Sequence, residues 1–165
     1  MSVDQPSQIA AVEERLRAET SVPGLLSATA RGFSEVLNAP ACTISRVIGD
    51  LLVDLIQHSQ AERTDRLGHG YLISDYPLTR AVIEEREPRT VFVGDADADA
   101  GEIALLAELG FDSLLMVAIV AEDGAWGLVE VYGEKGQRFG DEQVALAQEL
   151  ANAVGERLRQ LERPA

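Results

Sequence analysis

The residue with the most chemical content in this sequence is an acid set inside an apolar run. Glu130 stands within WGLVEVY, Trp126 to Tyr132, whose residue types suit a pleated, packed surface. Period-two alternation puts Leu128, Glu130 and Tyr132 on one face of that strand and Gly127, Val129 and Val131 on the other. A carboxyl with so little exposed surface around it is a candidate polar handle, although an acid at a sheet edge or facing solvent is the commoner occurrence. Asp95, Asp97 and Asp99 alternate as oxygen ligands of calcium do, but the spacing fails. Counted from Asp95, the sixth position is Ala100 and the twelfth Leu106; counted from Asp97, the twelfth is Glu108 but the fifth and sixth are Gly101 and Glu102. His58 and His69 are imidazoles without a second ligand at a recognised spacing. His69, between glycines, is the better haem or metal candidate, against the plainer reading of a surface-loop histidine. The single cysteine, Cys42, excludes an intrachain disulfide and any CxxC pair, and reads as a buried structural thiol. Glu84 and Glu85 project about 100° apart on a helix and suit a solvated face better than acid-base work. No GxSxG, HExxH, Walker or GxGxxG pattern occurs, so an enzyme is not expected.

These residues need a scaffold, and the composition supplies one. Apolar residues make up 46% and charged residues 25% of 165 residues, enough for one domain with a real core. With 14 basic residues against 28 acidic ones, the chain repels phosphate backbones and anionic membrane surfaces, so neither nucleic acid nor membrane is an expected partner. No apolar run nears the roughly 20 residues of a membrane span, and MSVDQPSQ lacks the parts of a signal peptide. A cytoplasmic location is expected.

The elements follow from periodicity and punctuation. Residues 7–19 form a short amphipathic helix with Ile9, Val12 and Leu16 on one side and Ser7 as its cap. A second helix runs from about 23 to 38, started by Ser21 and Pro23 and stopped by Asn38 and Pro40. Cys42 to Val47 and Leu51 to His58 make a hairpin with Gly49-Asp50 at the tip. The pattern dissolves from Ser59 to Gly70. A Pro-started helix over 77–86 follows, then a strand at Arg89 to Val93. Asp99 caps the next helix, with Glu102 at its positive end and Gly110 closing it. Phe111 to Gly133 reads as the central hairpin, reversed at Glu122-Asp123-Gly124, with Leu115, Val117, Val129 and Val131 beneath a helix layer. The longest helix spans Asp141 to about Arg163. The sum is an α+β domain on an antiparallel sheet of five to six strands, with terminal helices on one face and lid helices and loops over the other.

Three stretches carry a resemblance: SDYPLTRAVIEEREPRTV at 74–91, GFDSLLMVAIV at 110–120, and GAWGLVEVYGEKGQRFGDEQVALAQELANAVGERL at 124–158. Together they resemble a GAF domain of the bacterial signalling type, a GAF/PAS-like fold, over 23–163, with 1–22 as an N-terminal signalling or dimerisation helix. The resemblance implies a sensory or regulatory role, with a small molecule held between sheet and lid under residues 59–109, or dimerisation through terminal helices. The pocket would draw on Tyr71, Phe92, Met116, Glu130 and Tyr132. Departures from the family's ligand-specific branches are informative. The lid has no cysteine to attach a bilin, the Asn-Lys-Phe-Asp-Glu signature of the cyclic-nucleotide branch is absent, and one cysteine is too few for the sulfoxide reductases of this fold. No particular cofactor is indicated. The residues themselves add an expectation of a homodimer: Ile9, Val12 and Leu16 need a cover, and Val154, Leu158 and Leu161 extend an apolar seam past the sheet. The competing reading is a ligand-free dimerisation scaffold.

Overall fold

The computed structural model describes residues 5–59, 70–122 and 124–163, and each element in it starts and stops for a chemical reason. Helix α1 (Gln5–Ala18) begins before Ser7, which therefore lies inside the helix and is not its cap. Helix α2 (Val22–Val36) opens where the Ser21 hydroxyl accepts the Gly24 N–H at 3.1 Å, and the chain leaves it through Asn38 at φ 52. Strands β1 (Ala41–Ile48) and β2 (Leu51–Ser59) reverse at Gly49, whose φ of 60 is open to glycine at little cost. Strand β3 (Gly70–Leu72) leads through a 3-10 turn, Ile73–Asp75, into α3 (Pro77–Glu85). Ser74 does not cap α3; it turns back to Asp50, donating its hydroxyl at 2.6 Å. Strand β4 (Arg89–Phe92) precedes α4 (Ala100–Leu109), where Asp99 accepts the N–H groups of Gly101 and Glu102 and Gly110 sits at φ 83. Strands β5 (Ser113–Ala121) and β6 (Gly124–Gly133) follow, and α5 (Asp141–Glu162) ends the fold.

The six strands form one antiparallel sheet in the order β3-β2-β1-β6-β5-β4, so β6 and its Glu130 lie in the middle. Two apolar cores result, one per face. Cys42, Ile44, Leu115, Val117, Ile119, Val129 and Val131 pack under α1, α2 and α5. Leu114, Met116, Ala118, Leu128 and Tyr132 pack under a lid made of α3, α4 and the turns around them. The four expected residues beneath the helix layer, Leu115, Val117, Val129 and Val131, are all fully buried there. Val129→Ala should therefore lower stability by about 1–3 kcal/mol, read as a shift in the urea midpoint.

Helix α1 packs onto the helix layer of the same chain. Ile9, Val12 and Leu16 are buried against α2 and α5 of the same chain. Arg157 on α5 donates two N–H bonds to the Glu19 carbonyl, at 3.1 and 2.7 Å, and Arg15 pairs with Glu35 on α2 at 2.7 Å. Val154 and Leu158 are buried in the same core, with Leu161 packed partly exposed at its rim. The residues expected to seek a second copy thus find their cover within one chain. Amphipathicity showed that a face is buried; it carries no information about which helix does the burying.

The helix layer sits close to the sheet because α5 has a glycine at the crossing. A Cβ on Gly155 would lie 2.4 Å from the Val120 carbonyl oxygen, a backbone atom with no room to yield. Gly155→Ala gains helix propensity of about 1 kcal/mol and loses more to overpacking, so a net loss of about 1–2 kcal/mol in urea is expected.

Candidate functional site

The lid face of the sheet is where the fold collects buried polar groups. Across the strands, Glu130 stands opposite Thr43 of β1 on one side and Met116 of β5 on the other. Tyr132, two residues on, donates its hydroxyl to Glu130 Oε2 at 3.2 Å and stacks on Phe111 with ring centroids 5.1 Å apart. On β1, Ser45 donates to Asp54 Oδ1 of β2 at 2.6 Å. From the lid, Thr79 of α3 donates to Glu102 Oε1 of α4 at 3.0 Å, with Met116 Sδ 3.5 Å away. Thr43, Ser45, Asp54, Thr79, Glu102 and Glu130 are all buried. Three carboxyl groups therefore share the space between sheet and lid, while the opposite face of the sheet is packed with apolar residues.

Buried acids crowd one another, and the protonated form wins. Burial first, then the charges of Asp54 and Glu102, push the Glu130 carboxyl up to about 8, with the Tyr132 hydroxyl bond working the other way. Glu102 is raised as well, by burial above all and by Asp99, against the lowering effect of Thr79. The Tyr132 hydroxyl is raised by burial and then by Glu130 and Asp54. At neutral pH the cluster thus holds Glu130 mainly as a neutral acid, able to donate as well as accept. Thr79→Val, which keeps the shape and removes the donor to Glu102, should cost about 1–3 kcal/mol by urea denaturation.

The expected pocket residues divide. Met116, Glu130 and Tyr132 come together on the lid face, and Tyr71 packs at the rim of that core, edge-on to Tyr76 with centroids 6.2 Å apart. Phe92 does not join them. Its register partner is Ser113, which places it on the other face, where the Arg138 guanidinium lies 4.0 Å from its ring centroid. Val91, opposite Leu114, is the apolar residue that β4 puts on the lid face. Asp54, Glu102, Ser45 and Thr79 are members that the sequence reading left out, and Asp54 carries the same signal as Glu130, an acid inside an apolar strand. His69 lies outside the described residues. Of the aspartates tested against calcium spacing, Asp95 is paired with Arg138 at 2.8 Å and Asp99 is spent on α4. Among the described residues no group of three or more His, Cys, Asp or Glu is arranged to hold a metal. Cys42 is buried on the helix-layer face, its thiol pushed upward by burial and then by the charge of Glu130.

A six-stranded antiparallel sheet with helices on one face and a lid over a polar cluster on the other defines an α+β domain. The chain belongs to the GAF domain family, whose profile matches residues 22–158. No curated protein matches the sequence. Among solved structures it is similar to the phycoerythrobilin-bound GAF domain from a cyanobacterial phytochrome, at TM-score 0.82 and 17% identity, covering 98% of this chain and 97% of that one. It is similar to JSC1_58120g3 with bound biliverdin IXa, at TM-score 0.80 and 17% identity, over 94% and 99% of the two chains. The bacteriophytochrome RpBphP3 from R. palustris aligns at TM-score 0.85 and 12% identity; this chain spans 39% of that one. No helix among the described residues is long and apolar enough to cross a membrane.

Proposed function

We propose that the chain is a sensory or regulatory GAF module of a cytoplasmic bacterial signalling protein, non-catalytic, which binds a small molecule between sheet and lid. One observation carries the reading: three buried carboxyls with their hydroxyl partners stand on the lid face, where a packing scaffold would place apolar side chains as the opposite face does. Burying such groups costs stability, so a ligand that uses them is the return. Tyr71, Met116, Glu130 and Tyr132 are the lining residues, with Asp54 and Glu102 behind them. Two of the solved neighbours hold bilins, but this site favours a different guest. The thiol of Cys42 is on the wrong face for a covalent bond to a lid-face ligand, and the cluster of acids and hydroxyls supplies no cation to pair with the acidic side chains of a tetrapyrrole. A neutral or cationic molecule rich in N–H or O–H donors fits the charge. The dimerisation-scaffold reading loses support, since Ile9, Val12, Leu16, Val154 and Leu158 are used inside the chain. Native mass spectrometry of gently purified protein should reveal a retained small molecule that Glu130→Gln releases. Bare chain alone, together with no change in melting temperature against a panel of amines, amidines and neutral hydrogen-bond donors, would overturn the proposal.

A further inference from the structure

A concentration of unclaimed donors lies on the other face of the sheet, where the last turn of α5 meets the β5–β6 reversal. A groove of about 320 Å³ opens there, lined by Arg46, Glu122, Trp126, Arg159, Glu162 and Arg163 among others. Arg46, half-buried on β1, is held in place: Nη1 donates to the carbonyls of Trp126 at 2.7 Å and Val47 at 3.0 Å, and the guanidinium carbon sits 4.4 Å from the Trp126 ring centroid. Those bonds use one nitrogen, leaving the donors on Nε and Nη2 without a described hydrogen bond. Arg159 lies in the last turn of α5 and Arg163 just past its end in extended backbone, and neither has an ion-pair or hydrogen-bond partner among the described residues. Glu162 is occupied, accepting the Trp126 indole N–H at 3.1 Å. Among the described residues Glu122 is the remaining carboxylate at the groove, and it opposes an anion there.

A basic residue near a helix C-terminus is favoured by the helix dipole alone, which accounts for one arginine on α5. It does not account for three guanidiniums from two elements turned into one groove of a chain with 14 basic and 28 acidic residues. We propose that this groove binds a small oxyanion, a carboxylate or phosphate group carried by a small molecule. The volume lies near the small end of the range of roughly 300–1,000 Å³ that such ligands occupy. Planar guanidiniums suit paired oxygens, and Arg46 is already fixed by its bonds and its stack on Trp126. A guest would bridge β1 to the end of α5, adding to the Trp126–Glu162 link between sheet and helix.

The chain contains one tryptophan, so the indole N–H resonance of Trp126 reports the groove directly. The full chain would be titrated with inorganic phosphate and, separately, with succinate, each at constant ionic strength with sodium chloride as control. A saturating shift with a midpoint of about 1–10 mM is expected for at least one of them. A response to phosphate alone assigns a phosphate-bearing guest; a response to succinate alone assigns a carboxylate. Arg159→Ala with Arg163→Ala should weaken binding about tenfold or more, and Glu122→Gln should tighten it severalfold. All of these residues are at the surface or half-buried, and a melting temperature within about 3 °C of wild type establishes that the variants are folded. A linear shift that sodium chloride reproduces, or an unchanged midpoint in the double variant, overturns the proposal.

Discussion

Leu158→Glu is expected to unfold the protein rather than to split an oligomer. Leu158 is fully buried in α5 within the core that includes Val154, Ile9, Val12 and Leu16. The substitution removes the packing of a leucine, a loss of about 2–5 kcal/mol by itself, and puts a carboxylate where nothing can pair with it. The total, about 5 kcal/mol or more, matches or exceeds the stability of an ordinary domain. Leu161→Glu is the internal comparison. Leu161 is only half-buried at the rim of the same core, so its charged variant should cost about 1 kcal/mol or less. Had the two leucines formed a seam between copies, both variants would fold as monomers of native helicity. Far-UV circular dichroism with light scattering separates the cases: a folded, monomeric Leu158→Glu protein melting near wild type would sink the intrachain account.

How far the sequence could be read differs by element, and the physics explains the differences. The faces of β6 follow from alternation, since the run Trp126 to Tyr132 with Glu130 between Val129 and Val131 leaves one assignment that keeps the valines together. The caps at Ser21, Asp99 and Gly110 were legible because those residue types satisfy orphan backbone groups at helix ends. Phe92 lies on the face opposite to the one the sequence reading expects. A four-residue strand between two loops holds too little alternation to orient itself, and its pairing with β5 decides the matter. Glu102 was read as an acid at the positive end of α4, and it does sit there, but its side chain turns inward to Thr79. Either use satisfies a carboxylate in the first turn. Which one prevails depends on α3, more than twenty residues away in sequence. Asp54 could have been found by the reasoning applied to Glu130. The strand around it, LLVDLIQHS, also carries polar residues at its far end, which blurs the signal of a buried acid.

The buried acids should make stability fall as pH rises through the neutral range, and Glu130→Gln should remove most of that fall. Glu130 has a folded value of about 8 against an ordinary 4.5. Between those values the unfolded chain has lost the proton and the folded chain keeps it, so the folded state binds more protons and stability declines with pH. The contribution is least unfavourable below pH 4.5, worsens up to about 8, and is constant beyond. Linkage puts the total at roughly 3–5 kcal/mol for this one group. Asp54 from β2, Glu102 from α4 and the Tyr132 hydroxyl are the titratable groups that bear on Glu130, and Glu102, itself raised, acts in the same direction. A glutamine keeps the size of the protonated acid and can still accept the Tyr132 hydroxyl, so the variant should lie within about 1 kcal/mol of wild type at pH 5. At pH 8 it should be more stable, by roughly 3 kcal/mol or more. Urea midpoints of both proteins at pH 5, 6.5 and 8 test this. Parallel profiles across that range would mean that Glu130 ionises as a solvated carboxyl does, and would take away the polar lid face on which the binding proposal rests.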